Sequence, residues 1–317
     1  MSKGGIERLI TFQPCNKNSI LNSYYIDLGT LFTLEGLNEK IKIINGSIYV
    51  AYDKLGIRYN PLTEAFYALV MFQRKNYSLF LKLTDNLVQR ATILRINNKD
   101  VAFWYYQFPF PPYIYKTQWI SGMAQGVIAS VMCRAYYITH NELYKSLCIK
   151  AINGMLTPIE YGGALYKGDS WLWIEEYPSG NPLFHVLNGF LFSLLGLYDA
   201  YLITNNIELL RLFQVLLKSL KMRIKLYDLI LWSKYDCLNI ADIKYHFLNT
   251  ILLYALYKLT NDELLKYYSL KWLHGFKVLS LFVTFILPLF FMRQYRSKKI
   301  MCLQKPELCI EHVKHQE

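Results

Sequence analysis

Three short polar segments with nearly the same sequence, here called joints, constrain what this chain can fold into. They read Thr139-His-Asn-Glu142, Asn205-Asn-Ile-Glu208 and Thr260-Asn-Asp-Glu263. The first and the third match a Ser/Thr-x-x-Glu capping box, and the second is a variant with Asn205 as the cap. Each joint predicts the start of a helix and stands between two stretches whose apolar residues recur at helical spacing.

Those stretches predict long helices in pairs. The first helix of each pair is expected over about 120–138, 183–203 and 241–259, and the second over about 141–155, 206–222 and 262–274. Pro61 opens a further pair, over about 62–75 and 78–93. Because short joints make neighbouring helices antiparallel, the sequence predicts a mainly α chain built from four helical hairpins.

Short β elements are expected around these hairpins. Ile41–Tyr52 is typical of a β-hairpin with Asn45-Gly46 as its turn, and another hairpin is expected between Pro158 and Pro178. Val101–Tyr106 is typical of a strand that leads into a proline-rich loop. The predicted division is a short β-containing entry segment at 1–60, a helical domain at 61–276, and a hydrophobic helix with a basic tail at 277–317.

The net charge limits the classes of binding partner that we expect, and the cysteine usage indicates the cellular compartment. The net charge of +12 favours an anionic partner, which is a glycan, a membrane surface or nucleic acid, but no nucleic-acid motif accompanies it. The 27 tyrosines suit stacking on sugar rings, or equally reflect an A/T-rich genome. Six scattered cysteines without metal-like spacing predict a reducing compartment and no metal site. The N-terminus lacks the apolar run of a signal peptide, so a cytoplasmic location is expected.

The segment Val278–Met292 carries no charge and is followed by Arg293, Arg296, Lys298 and Lys299. As a helix it would cover about 22 Å, less than the roughly 30 Å hydrocarbon core, and Pro288 would kink it. It predicts peripheral or tail-anchored attachment to a membrane surface through residues 278–299, with the basic cluster on anionic headgroups. The alternative is a helix packed on the outside of the helical domain.

The stretch Trp171–Asp199 carries the candidate chemistry. Alternating aromatic and polar residues predict a strand that ends at the acidic pair Glu175-Glu176, and Asn181-Pro182 predicts a helix start. Asn188 interrupts the apolar helix that follows. A buried amide needs hydrogen-bond partners, so Asn188 is either a structural clamp or part of a polar cleft.

The segments WIEEYP, VLNGF and SLLGLYD, with WISGMAQG at Trp119–Gly126 and RAYYIT at Arg134–Thr139, resemble the C-terminal domain of the D-glucuronyl C5-epimerase family. The resemblance runs in order from about Gly56 to Phe276. It implies an (α/α) toroid of four helical hairpins. It also implies an isomerase that inverts carbon 5 of D-glucuronic acid to L-iduronic acid in a heparan-type glycan, without a cofactor.

Epimerisation needs a base on one face of the sugar, an acid on the other, and groups that stabilise the enediolate. The resemblance places the catalytic pair at Glu176 and Tyr245, with supporting active-site residues at Tyr177, Asn188 and Tyr235. His246, beside Tyr245, is also expected in the site. The resemblance implies an arginine three residues after Tyr235, but this chain has Leu238 there, so Lys244, Arg58 or His246 would have to bind the substrate carboxylate instead. Asn249 likewise replaces a histidine.

These departures keep a second class open, a non-catalytic module that binds an acidic polysaccharide in the same cleft. The retained polar residues favour the enzyme. A glycoside hydrolase or lyase ranks last, because Glu175 points away from Glu176 on a strand. Outside the cleft, Trp119 and Met123 are expected in the core, and Arg134 is expected as a structural ion-pair or cap partner. His185 is either a donor in the first turn of a helix, which we favour, or a glycan contact. The sequence leaves the oligomeric state open, a homodimer included.

Overall fold

The computed structural model describes residues 3–13, 16–34, 40–178 and 183–281, and within these ranges the protein is mainly helical with four small sheets. Three short helices come first: α1 (Lys3–Glu7), α2 (Lys17–Leu21) and α3 (Leu28–Leu34). The long helices follow as α4 (Pro61–Gln73), α5 (Tyr77–Gln89), α6 (Gly122–Thr139), α7 (Glu142–Leu156), α8 (Leu187–Thr204), α9 (Ile207–Arg223), α10 (Ile243–Thr260) and α11 (Glu263–Leu281).

The long helices pack as four consecutive pairs, α4 with α5, α6 with α7, α8 with α9, and α10 with α11. The first helices of these pairs also contact one another in series, from α4 to α6 to α8 to α10. Helices α6 and α8 are buried along most of their length, because nearly every residue in them is apolar or small. The prediction of a mainly α chain with paired helices is confirmed.

The joints between paired helices share one local structure, which differs from the predicted capping box. The caps are Asn141, Asn206 and Asp262, whose side chains accept from the backbone N–H two residues later at 2.9–3.0 Å. Thr139 instead ends α6, and its hydroxyl donates to the Ala135 carbonyl at 2.7 Å. The predicted caps were wrong because the threonine hydroxyl bonds back into the preceding helix. A left-handed residue then reverses the chain: His140, Asn205 or Asn261.

Four small sheets decorate the helices. Strands β1 (Ile41–Ile44), β2 (Ser47–Tyr52) and β3 (Gly56–Tyr59) form an antiparallel sheet, and the turn residues Asn45 and Gly46 both have positive φ. This confirms the predicted hairpin, since such turns need residues that tolerate left-handed backbone. The other strands are β4 (Thr92–Ile96), β5 (Lys99–Phe103), β6 (Leu165–Lys167), β7 (Leu172–Ile174), β8 (Asp228–Leu229) and β9 (Trp232–Ser233). Strand β4 was missed, because the helical pattern was extended to residue 93.

Helix α8 starts later than the sequence suggested. Asn181 and Pro182 lie outside the described residues, and residues 183–186 are not helical. His185 has a φ of 52°, which is incompatible with a right-handed helix at that position. The first N–H of α8, on Leu187, donates to the Tyr235 carbonyl at 3.0 Å, so a contact from another segment replaces the predicted asparagine cap.

The entry segment packs against the carboxyl-terminal ends of α6 and α8. There Arg134 and Asp199 form an ion pair at 2.6 Å, and both side chains are fully buried. Arg134 also donates to the Ser23 and Ile20 carbonyls, and the Tyr25 hydroxyl donates to Asp199 at 2.8 Å. The prediction of a structural ion pair for Arg134 is confirmed. Trp119 and Met123 are buried as predicted.

Most of the predicted membrane segment Val278–Met292 lies outside the described residues, although α11 extends as far as Leu281. Among the described helices, α8 is long and apolar enough to cross a bilayer. Because most of α8 is buried between other helices, the simpler reading is a core helix of the folded domain.

Candidate active site

The β6–β7 hairpin positions Glu175 and Glu176 at the amino-terminal ends of α6 and α8, away from the entry segment. The two glutamate side chains have different partners. The Glu175 carboxylate contacts Nδ1 of His185 and accepts from the His185 backbone N–H at 3.2 Å. Glu176 lies instead against Gly189 in the first turn of α8. A Cβ atom at position 189 would stand 2.6 Å from Oε2 of Glu176, so only glycine fits there. The glycine of the VLNGF segment thus makes room for the Glu176 carboxylate.

Glu176 is a buried acid whose protonation changes near neutral pH. Its side chain belongs to a residue only 6% exposed, and Oε2 has no hydrogen-bond partner among the described residues. Burial raises the pKa of Glu176 to about 7, and the charges of Glu175 and Asp236 add to the rise, whereas a hydrogen bond from Tyr177 opposes it. A carboxyl group with this pKa can accept and return protons at physiological pH.

Four tyrosines surround a cavity of about 260 Å³, and one of them, Tyr177, hydrogen-bonds the Glu176 carboxylate. Tyr113 stacks on Tyr177 with ring centroids 4.6 Å apart, and Tyr235 meets Tyr245 at 4.5 Å. The Tyr177 and Tyr235 side chains are joined by a hydrogen bond. The cavity lining is Phe110, Tyr113, Tyr177, Tyr235, Asn239, Ile240, Asp242 and Tyr245. The structure therefore brings together Tyr177, Tyr235 and Tyr245 from three separate segments of the chain.

The buried phenols keep their protons. Burial is the largest cause that raises the pKa of Tyr177 and of Tyr235 well above the ordinary value, and the Glu176 charge adds to it. Burial, followed by the Asp236 charge, also raises the pKa of Tyr113. At neutral pH these three hydroxyls are therefore hydrogen-bond donors rather than bases.

Tyr113 and Asp236 belong to this site, and sequence reasoning did not single them out. Asp236 is fully buried and accepts from the backbone N–H groups of Leu238 and Asn239 at 2.8 and 2.7 Å. The Tyr113 hydroxyl donates to its other oxygen at 3.3 Å. Asp236 thus fixes the turn after Tyr235 and ties it to the proline-rich loop. The available signals were its place next to Tyr235 and the aromatic Phe-Pro loop before Tyr113.

Asn188 and His246 are both buried, but they have different neighbours. Asn188 precedes Gly189 and is buried, with Nδ2 near the Met123 sulfur at 3.9 Å and Oδ1 unpartnered among the described residues. His246 is fully buried; Nδ1 accepts from the Ser233 N–H at 2.9 Å, Nε2 donates to the Trp272 carbonyl at 3.2 Å, and the ring stacks on Trp232. The expectation that His246 contacts substrate is therefore not supported, because both ring nitrogens are bound within the core.

Leu238 is exposed and is not part of the cavity lining. It follows Asp236 in the turn, at the position where the resemblance leads us to expect an arginine. Among the residues that the structure describes, no group of His, Cys, Asp and Glu side chains is arranged to hold a metal ion.

Comparison with known proteins identifies the family of the chain. The sequence profile described as D-glucuronyl C5-epimerase C-terminus matches residues 97–274, more than half of the chain. The chain is 33% identical over 262 residues to an uncharacterized protein of Methanocaldococcus jannaschii, covering 76% of this chain and 84% of that protein. It is also 33% identical over 175 residues to the D-glucuronyl C5-epimerase of Caenorhabditis elegans, covering 49% of this chain and 28% of the nematode protein. The chain belongs to the D-glucuronyl C5-epimerase family and carries its C-terminal domain.

Proposed function

We propose that the protein is a uronyl C5-epimerase that converts D-glucuronic to L-iduronic acid residues within a glycan such as heparosan. The observation that carries the proposal is the buried Glu176 carboxylate, which has an unpartnered oxygen and is hydrogen-bonded by Tyr177, one of the phenols that line the cavity. Burying an acid without a basic partner costs stability, so its retention favours a chemical role.

In the proposed reaction Glu176 accepts the proton from carbon 5. The electron pair of the broken C–H bond moves into the bond between carbons 5 and 6, and an enediolate forms at the carboxyl group. Tyr245, which is 38% exposed at the mouth of the cavity, returns a proton to the opposite face. Tyr177 and Tyr235 donate hydrogen bonds to the developing negative charge, which stabilises the transition state more than the ground state.

Uptake of solvent deuterium at carbon 5 of heparosan oligosaccharides tests the proposal. Wild-type protein is expected to incorporate deuterium and to invert carbon 5, whereas Tyr245→Phe loses net inversion and retains exchange on the Glu176 face. Glu160 and Tyr161 are exposed and are not part of the cavity lining, so Glu160→Gln and Tyr161→Phe serve as matched controls. Absence of exchange by wild-type protein on every uronate glycan tried would contradict the enzyme proposal.

A non-catalytic module that binds an acidic polysaccharide is the second candidate. Leu238 favours it, because the arginine that relatives use near the substrate carboxylate is replaced by an exposed apolar side chain. Such a module binds uronate chains without any deuterium uptake, and its affinity is unchanged in Glu176→Gln. Binding and exchange measured on the same protein sample therefore separate the two candidates.

We also propose that the four hairpins close into an (α/α) toroid, which the serial packing of α4, α6, α8 and α10 supports. An experimental structure of the domain tests this directly.

For the tail we propose attachment to the cytoplasmic face of a membrane, supported by the uncharged segment and the four basic residues that follow it. If full-length protein and a chain ending at Phe276 fractionate equally without detergent, the tail proposal is wrong.

A further inference from the structure

The cavity is lined by four phenols, an amide, a carboxylate and the apolar side chains of Phe110 and Ile240. Among the described residues its lining contains no Lys or Arg side chain. Asp242 is part of the lining; it caps α10, and its Oδ1 accepts from the Tyr245 N–H at 2.9 Å. The fully buried Asp236 lies behind Tyr113, and Glu176 lies behind Tyr177.

Lys116, Lys234 and Lys244 are the lysines within three residues of a lining residue, and none of them is part of the lining. Lys234 precedes Tyr235, but its Nζ donates to the Cys237 carbonyl at 3.4 Å and is not part of the lining. Lys244 precedes Tyr245 on the exposed side of α10 and is likewise outside the lining. Residues 179–182, between Tyr177 and α8, are Ser, Gly, Asn and Pro and bring no charge. A negative charge placed in this cavity therefore lies beside the Asp242 carboxylate, and no Lys or Arg side chain of the described residues lines the cavity to offset it.

Resting on the proposed function, we infer that this site takes a hexuronic acid residue whose carboxyl group is uncharged, as an amide or an ester. A free uronate brings one negative charge into the cavity, and removal of its C5 proton creates a dianion that needs a cationic partner. A neutral carboxyl derivative brings none, and the same step creates a monoanion.

The chemistry balances without a co-reactant. Glu176 accepts the C5 proton, the electron pair forms the double bond between carbons 5 and 6, and the carbonyl oxygen becomes an enolate oxygen. The amide nitrogen or ester oxygen stays attached. Return of a proton to the other face regenerates the carbonyl with inverted carbon 5. Phenol donors alone suit an enolate monoanion, as protonated donors do in other enolate-forming sites.

The test uses the full chain and a trisaccharide with one central glucuronic acid residue, prepared as the free acid and as the primary amide. Deuterium uptake at carbon 5 is divided by the uptake in buffer alone, because an amide C–H is more acidic than a carboxylate C–H. We expect the corrected rate for the amide to exceed that for the acid by about tenfold or more, as for removal of a like charge from a buried site. Equal or faster exchange of the free acid overturns the inference and leaves the epimerase proposal standing.

If neither compound exchanges, the epimerase proposal fails, and binding decides the inference. Tighter binding of the amide in calorimetry still supports recognition of a neutral carboxyl group, whereas tighter or equal binding of the acid overturns it. Leu238→Arg is the matched variant, since it restores the side chain that relatives carry. It is expected to strengthen binding of the free acid and to leave the amide unchanged; no gain for the acid counts against the inference.

Discussion

A carboxylate is buried at each end of the α6 and α8 pair, and the partners of the two carboxylates differ. At the carboxyl-terminal end, Asp199 is paired with Arg134 and hydrogen-bonded by Tyr25, and the entry segment covers both charges. At the amino-terminal end, Glu176 has an unpartnered oxygen, and two further acids contribute to raising its pKa. Both acids are removed from water, but only Asp199 receives a compensating cation.

The difference separates a structural charge from a reactive one. Asp199 holds three segments together, because Arg134 and Tyr25 occupy its oxygens and no side of the carboxylate is left open. An unpaired one destabilises the fold in its ionised form and for the same reason binds a proton readily. The predictions below test whether the two ends divide stability and chemistry in this way.

The largest expected effect is the loss of exchange in Glu176→Gln. Gln keeps the shape of the side chain against Gly189 but cannot accept the C5 proton, so deuterium uptake should fall by about 10² to 10⁴-fold. Glu160→Gln, at an exposed site, should leave the rate unchanged. A small loss in Glu176→Gln would mean that another group removes the proton.

The next effect concerns the opposite end. Asp199→Asn leaves the Arg134 guanidinium buried without its counter-charge, which should lower the free energy of unfolding by about 3–5 kcal/mol. Denaturant melts measure the change, and exchange per folded molecule should stay near the wild-type rate. Glu208→Gln breaks an exposed ion pair with Arg211 and should cost less than about 1 kcal/mol. Similar losses in the two variants would show that the buried pair is not a structural anchor.

Much of the fold was predictable from the sequence, because paired apolar stretches and polar joints specify helical hairpins locally. The Asn45-Gly46 turn was equally clear. What failed depended on contacts between distant segments: α8 begins at Leu187 because of the Tyr235 carbonyl, and the threonines at the joints bond backwards into their own helices. The spacing of the residues shows neither the hydrogen bond that sets the start of α8 nor the ones that the threonines make to their own helices.

The site was predictable in part, for the same reason. The acidic pair and the tyrosines stand in recognisable segments, and the structure brings Tyr177, Tyr235 and Tyr245 together. His246 was expected in the site because it stands next to a candidate catalytic tyrosine, whereas the structure places its ring between Trp232 and Phe276. Asp236 and Tyr113 were missed because their contact joins residues 123 positions apart.

A smaller effect is expected in the pH dependence of stability. The pKa of Glu176 rises from 4.5 in the unfolded chain to about 7 in the folded protein. Its contribution is therefore fully present below about pH 4.5 and is lost as the pH rises through about 7, on the order of 3 kcal/mol. Unfolding measured from pH 4 to pH 9 should show this loss in wild-type protein and not in Glu176→Gln. Parallel profiles would show that Glu176 is not desolvated.

The smallest effect separates the charge of Glu175 from the burial of Glu176. Burial is the main cause of the raised pKa of Glu176, and the Glu175 charge adds to it. Glu175→Gln removes that charge and keeps an oxygen for the His185 N–H, so the pKa of Glu176 should fall and remain above 4.5. Exchange that depends on ionised Glu176 should then rise at a lower pH than in wild-type protein, by less than about one pH unit. Leu172→Ala, a partly buried change in β7, is the control for loosening of the hairpin: it should lower the rate without moving the profile. An unmoved profile in Glu175→Gln, with the fold intact, would mean that burial alone sets the proton affinity at this end of the helices.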